Sequence, residues 1–349
     1  MILTLALLQL EAVDVFSSGT DGYHTYRIPS VMATAQGTLL AFAEGRRNGR
    51  GDAGDIDLVL KRSSDGGRTW GPMQVVWDDG PNTCGNPCPV QDRRTGTIWL
   101  LLTHNRGDDH EKHIVEGTAK GTRTVWVAKS DDDGRTWAAP VEITSAVKRP
   151  EWSWFATGPG VGIQTRDGGL VVPCDSKAEG GKKGYAFVIR SDDGGRTWKA
   201  GGVVGDAFNE CQVAELSDGA LMLNMRNTDP RKRERGVAVS RDGGSTWAPP
   251  SHDPALVEPI CQASLLSAGG KRLLFSNPAS RTDRARMTVR LSEDDGRTWS
   301  AGLRLHEGPS AYSCLVLLPD GAAGCLYEAG TRSPYERLVF RRFDVAGLR

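Results

Sequence analysis

The sequence predicts an all-β protein, a six-bladed β-propeller. One eight-residue pattern, S-x-D-x-G-x-T-W, occurs five times, at 63–70, 130–137, 191–198, 240–247 and 292–299. Its acidic residues, Asp65, Asp132, Asp193, Asp242 and Asp294, stand 49 to 67 residues apart, which suits one four-stranded sheet per copy. Strand-like runs lie between the copies, and no long amphipathic helix interrupts them.

Taken in order, residues 1–10 are apolar, too short to span a bilayer, and lack both a basic leader and a clear cleavage site. They are expected to be an export-signal remnant or a first strand. Residues 11–349 are expected to form a single propeller domain. The segment 12–44 supplies the first strands, and 56–62 leads into the first copy of the pattern. In each copy the Asp carboxylate suits acceptance of backbone N–H bonds, and the Gly two residues later suits a tight turn with positive φ. The Thr resumes the strand, and the Trp is large enough to fill the gap between blades while its indole N–H seeks an acceptor. Five of the ten Trp residues occupy this position, which argues for a repeated structural wedge. Five identical carboxylate sites on different blades cannot converge on one substrate, so the repeats are read as structural. Further strands are expected at 97–103, 124–129, 169–174, 220–226 and 272–276. Three more runs between 311 and 344 carry no copy, which makes the sixth blade. That blade is expected to combine strands from both termini, closing the ring and removing free edges.

Lys and Arg balance Asp and Glu at 43 each, and the formal net charge is zero, so a broad nucleic-acid footprint is excluded. The short run Arg231-Lys232-Arg233 is flanked by acids and reads as a solvated loop. The seven cysteines have no repeated metal spacing; Cys84 and Cys88 fit either a disulfide or two free thiols. His104, His110 and His113 with Asp108, Asp109 and Glu111 read as a polar loop over a cleft rather than as a metal site.

The chemistry is expected outside the repeats. Arg27 sits in the apolar run Tyr26-Arg27-Ile28-Pro29, Arg226 ends the run 221–226, and Arg284 precedes the run 287–290 with Arg286 as the alternative. Each fits snorkelling to the surface, but three arginines near inner strands of three blades also fit convergence on one anion. Guanidinium forks suit a carboxylate, which they bind bidentately.

With Phe42-Ala43-Glu44-Gly45-Arg46, the run from Gly51 to Asp57, Glu210-Cys211-Gln212-Val213-Ala214-Glu215, Ser276-Asn277-Pro278, Ala311-Tyr312-Ser313 and Cys325-Leu326-Tyr327-Glu328-Ala329, the chain resembles the sialidase (neuraminidase) family. The resemblance runs from about Val15 to Phe343, and the repeats match that family's Asp-boxes. It implies that Arg27, Arg226 and Arg284 grip the carboxylate of sialic acid and that Glu328 holds Arg27. It further implies Asp52 as general acid/base, with Asp55 and Asp57 its neighbours, Tyr312 as nucleophile and Glu210 as its base. The segment holding Trp152, Trp154 and Phe155 is expected to line, in part, an apolar pocket for the N-acetyl methyl. The implied activity is release of terminal α-linked sialic acids from glycoproteins, gangliosides and oligosaccharides with retention of configuration. No cofactor and no metal is implied, and a secreted or periplasmic monomer is expected, or a cytoplasmic one if residues 1–10 are no signal. Sialyl transfer or anhydro-sugar formation would use the same residues. A non-catalytic glycan- or protein-binding propeller would have lost Tyr312, Glu210 or an arginine, and all are present.

Overall fold

The computed structural model describes residues 12–348; the 1–10 stretch lies outside the described residues. The fold is all-β, in four sheets of antiparallel meanders. One sheet orders Thr25–Ala33, Leu39–Arg46, Ile56–Ser63, Thr83–Gln91, Ile98–Asn105, Thr124–Ser130 and Val141–Glu142, with Gln74–Trp77 beside Ile56–Ser63. Its two meanders join through one parallel pair, Ile56 with Thr83. A second sheet holds Trp152–Thr157, Leu170–Ala178, Lys183–Ser191 and Lys199–Val204, and Ile163–Gln164 also pairs with Leu170–Ala178. A third holds Phe208–Glu215, Leu221–Asn227, Glu234–Ser240 and Ser251–Val257. The fourth runs Val13–Ser17, Arg337–Phe343, Ala323–Ala329, Leu303–Leu317, Ala285–Ser292, Leu273–Pro278 and Ser264–Ser267. Val13–Ser17 lies beside Arg337–Phe343, the expected union of strands from both ends of the chain.

Strand sequences follow the burial they meet. Leu39–Arg46 is buried at every position, consistent with a strand covered on both faces. Helix is confined to short connections such as Glu111–Glu116 and Thr144–Val147. Among the described residues no helix is long and apolar enough to cross a membrane. All seven cysteines are free and buried, so the disulfide reading of Cys84 and Cys88 does not hold. Both lie on Thr83–Gln91, where their cross-strand partners are His104 and Leu101.

The repeated turns behave as their residue types require. Asp65 Oδ1 accepts from the N–H groups of Arg68 and Thr69, both at 3.0 Å, and from Ser63 Oγ at 2.8 Å; Oδ2 accepts from Thr69 Oγ1 at 2.6 Å. Gly67 has φ of +88°, and a Cβ there would fall 2.1 Å from Phe340, so only glycine fits. The Trp wedges pack as expected: Trp70 meets Phe340 edge-on at 5.4 Å and Trp137 meets Phe42 at 5.7 Å. Their indoles divide. Trp198, Trp247 and Trp299 donate to Gly195 O, Gly202 O and Asp253 Oδ2, while the indoles of Trp70 and Trp137 find no acceptor among the described residues.

These turns carry a pH signature. Burial works upward at Asp65, but the bonds from Thr69 and Ser63 outweigh it and hold the carboxyl at about 2. Asp132, Asp193, Asp242 and Asp294 are also held at about 2. An unfolded Asp titrates near ~3.9, so the stabilisation is fully present above that pH and is lost as pH falls toward about 2. Melting temperature is expected to fall steeply across that window, and less steeply in Asp65→Asn. An equal slope in both proteins would show that this turn does not carry the effect.

Candidate active site

Strand irregularities lie beside three of the predicted site residues, Arg27, Glu210 and Tyr312. The pairing of Thr25–Ala33 with its neighbour slips between Arg27 and Ser30, and Ile28 takes φ of +60°. Slips also occur between Phe208 and Cys211, flanking Glu210, and between Ser310 and Ser313, flanking Tyr312. Such bulges re-aim a side chain at the end of a strand. A β-branched residue at positive φ costs about 1–3 kcal/mol and persists only where its surroundings hold it. At Ile28 the holding group is Glu328, which accepts the Ile28 N–H at 3.1 Å.

Glu328 is fully buried and is the junction of the site. It accepts Arg27 Nε at 3.0 Å, Arg27 Nη2 at 3.3 Å and the Tyr312 N–H at 3.0 Å. The Arg27 guanidinium lies over two aromatic rings, 5.0 Å from that of Tyr312 and 4.2 Å from that of Tyr335. Tyr312 Oη donates to Glu210 Oε1 at 2.5 Å and accepts from Arg226 Nη1 at 3.1 Å. Arg226 Nη1 also meets Glu210 Oε2 at 2.5 Å, while its buried Nε has no partner among the described residues. Arg284 lies 5.6 Å from the Tyr312 ring and donates to Tyr335 Oη at 2.9 Å and Ile260 O at 3.2 Å. Arg286 points elsewhere: its side chain is largely exposed, 3.9 Å from Glu307. Burial and the neighbouring Glu210 push the Tyr312 phenol well above its usual range, and the three arginines offset this only in part. The phenol is therefore neutral at physiological pH.

Asp52 occupies the loop between Leu39–Arg46 and Ile56–Ser63, and its side chain is 72% exposed. It contacts Arg46 Nη1 at 2.7 Å and Arg27 Nη1 at 3.3 Å. Desolvation in the cleft works upward, but Arg46 and then Arg27 outweigh it, so its carboxyl lies below the usual range. Asp57 is structural: fully buried, it accepts from Tyr23 Oη at 2.5 Å and Arg47 Nη2 at 2.7 Å. Asp55 meets Arg47 Nε at 3.1 Å.

Several residues around the site went unassigned in the sequence. Arg46 joins Asp52 to Glu44 and to the carbonyls of Arg50 and Gly51. Arg123 is buried against the Trp154 ring at 4.4 Å and, among the described residues, donates only to neutral groups, on Thr103, Asn105 and Asn86. Asp175 is buried, and its Oδ1 has no partner among the described residues; burial and then Glu210 push its carboxyl well above the usual range. Trp152 and Phe155 pack against Phe187, which leaves Trp154 as the aromatic that faces Arg123. In the polar loop, His104 pairs with Asp79, Asp108 with Arg106 and Lys120, and Glu111 with Lys177. A separate cavity of about 680 Å³ is lined by Val31, Val90, Leu216 and Leu317, away from every residue of this cluster.

The family model for a BNR repeat-like domain matches residues 37–325. A sialidase of Bacteroides fragilis is 37% identical over 91% of this chain, and the chain spans 62% of that relative's length. An exo-alpha-sialidase of Aspergillus fumigatus is 35% identical, with 96% of this chain and 87% of the relative aligned. The chain belongs to the sialidase family. Among solved structures, the Hadza microbial sialidase Hz136 superposes with a TM-score of 0.89 at 36% identity, covering 97% of this chain and 69% of that one.

Proposed function

We propose that this sialidase-family chain is a retaining exo-α-sialidase acting on terminal α-linked sialic acids of glycoproteins, gangliosides and oligosaccharides. The observation that carries the reading is a neutral phenol, Tyr312, bonded to Glu210 at 2.5 Å and ringed by Arg27, Arg226 and Arg284. The four sheets are read as six four-stranded blades. In that reading two blades meet through Ile56 and Thr83, and two share the 15-residue strand Leu303–Leu317.

The chemistry explains the choice of nucleophile. Sialic acid bears a carboxylate on its anomeric carbon, which would repel an attacking carboxylate and does not repel a neutral phenol. Sialidases depart in this way from the two-carboxylate scheme of most glycosidases. The three guanidiniums take the substrate carboxylate. That carboxylate competes with Asp52 for Arg27 and so frees Asp52 to take up a proton. Asp52 then protonates the glycosidic oxygen as the anomeric C–O bond breaks. Tyr312 Oη bonds to the anomeric carbon while its proton passes to Glu210. In the second half, Asp52 takes a proton from water, the resulting hydroxide displaces Tyr312, and Glu210 returns the proton. Two displacements give retention. Trp154 is the member of its segment that lines the N-acetyl pocket.

The test is release of 4-methylumbelliferone from its α-sialoside and of lactose from sialyllactose, wild type beside Asp52→Ala. General acid catalysis contributes about 10²–10⁴-fold. Asp52→Ala is expected to lose that much kcat/KM on sialyllactose and much less on the aryl sialoside, whose leaving group needs little protonation. Equal losses on both substrates would remove Asp52 from the acid role, and a wild type silent on both would remove sialoside hydrolysis.

A further inference from the structure

Tyr335 is not among the residues that the activity accounts for, yet it touches two of the three arginines. Arg27 lies over its ring at 4.2 Å. Its hydroxyl oxygen accepts Arg284 Nη1 at 2.9 Å, and the side chain packs against the cluster of Ile28, Cys261, Ala311 and Tyr312. The loop that presents it is built for rigidity. Glu336 gathers the N–H groups of Thr331, Arg332 and Ser333 at 3.0, 2.8 and 2.9 Å, and Ser18 Oγ holds the Tyr335 carbonyl at 2.9 Å.

Part of the guanidinium donor set is already committed. Arg27 gives Nε and Nη2 to Glu328 and Nη1 to Asp52; Arg284 gives Nη2 to Ile260 O and Nη1 to Tyr335. The Tyr335 hydroxyl receives a charged hydrogen bond on its oxygen, while its own proton has no acceptor among the described residues. A hydroxyl whose oxygen accepts from a cation is polarised into a stronger donor. A carboxylate offers about four acceptor positions, so it can take a hydroxyl donor beside the guanidinium N–H groups.

We infer that Tyr335 is a fourth member of the carboxylate cradle, donating its hydroxyl proton to the substrate carboxylate while its ring holds Arg27 in plane. The inference rests on the sialidase reading and adds a recognition residue to it. Because the bond is made in the ground state and in the transition state alike, its loss raises KM with little change in kcat.

Tyr335→Phe removes the hydroxyl and keeps the ring over Arg27. The probe is 2-deoxy-2,3-didehydro-N-acetylneuraminic acid, a sialic acid analogue that keeps the carboxylate, measured by calorimetry beside steady-state kinetics on the aryl sialoside. A hydrogen bond to a charged group predicts a rise in Kd and KM of about 10- to 100-fold. The kcat is expected within about twofold of wild type, as uniform binding requires, with an unchanged melting temperature. Tyr335→Leu, which also strips the ring from Arg27, is expected to lose more. Wild-type Kd in Tyr335→Phe, or a fall in kcat at unchanged Kd, overturns the inference and leaves the sialidase reading standing. A wild type that neither binds the probe nor hydrolyses the sialoside overturns both.

Discussion

Tyr312→Phe is expected to lower kcat on the aryl sialoside by about 10³- to 10⁶-fold, the range seen when a nucleophile that works as a unit with its base is removed. The change is a single oxygen. The phenyl ring still packs under Arg27, and Glu210 keeps its bond to Arg226 at 2.5 Å, so folding and carboxylate binding are expected to survive. The variant therefore separates binding from chemistry: Kd for the dehydro analogue stays near wild type while turnover collapses. A Tyr at its usual pKa near ~10 is a poor nucleophile, and burial here raises the phenol further. The site compensates through geometry. Glu210 stands in line to take the proton as the new bond forms, so no free phenolate has to exist. A 3-fluorosialosyl fluoride supplies the complementary test, because its leaving group departs readily while its C3 fluorine slows release of the adduct. The expected adduct lies on the peptide containing Tyr312 and is absent from Tyr312→Phe. Labelling of Glu210 or Asp52 instead would end the tyrosine mechanism, as would a Phe variant that turns over at the wild-type rate.

Local signals were legible in the sequence and long-range pairings were not. The Asp-turn residues bond to partners at most four positions away, as Ser63, Asp65, Gly67 and Thr69 do, so spacing alone announced them. Arg27, Arg226 and Arg284 stood out because a charge in or beside an apolar run demands a partner. What spacing could not announce is the partner itself, since Arg27 finds Glu328 some 301 positions away and Arg284 finds Tyr335 across 51. Arg46 and Asp52 were both inside motifs that carried the family resemblance, yet their contact depends on how the intervening loop folds back. Arg123 gave no signal because its partners Thr103, Asn105 and Asn86 stand 18 to 37 positions away. The Cys84 and Cys88 spacing was equally silent: on one extended strand, with a slip between Gly85 and Cys88, the two thiols take separate buried positions.

Glu328→Gln is expected to be the most damaging single substitution for stability. Glu328 is the only acidic partner of the Arg27 Nε and Nη2 edge among the described residues, and it also caps the N–H groups of Ile28 and Tyr312. It thereby ties three strands, Thr25–Ala33, Leu303–Leu317 and Ala323–Ala329, at the point where two of them bulge. Gln keeps the shape but loses the charge, and its amide NH₂ must face donors on Arg27, Ile28 or Tyr312. Removing one partner of a buried ion pair leaves an uncompensated charge and costs about 3–5 kcal/mol. At about 2.1 cal/mol/K of unfolding entropy per residue, each 1 kcal/mol lowers melting by roughly 1.4 °C in a 349-residue chain, so a loss of about 4–7 °C is expected. The strained Ile28 backbone would relax at the same time, carrying Arg27 and the Tyr312 backbone out of register. Activity is therefore expected to fall even at temperatures where the variant is folded, through both KM and kcat. A double-mutant cycle with Arg27→Ala separates the two effects. If the pair acts as one unit, Arg27→Ala/Glu328→Gln is no less stable than either single variant, because it leaves no lone buried charge. Additive losses, or a Glu328→Gln protein that melts like wild type, would show that the bulge at Ile28 is held by the surrounding strands and that Glu328 is dispensable to it.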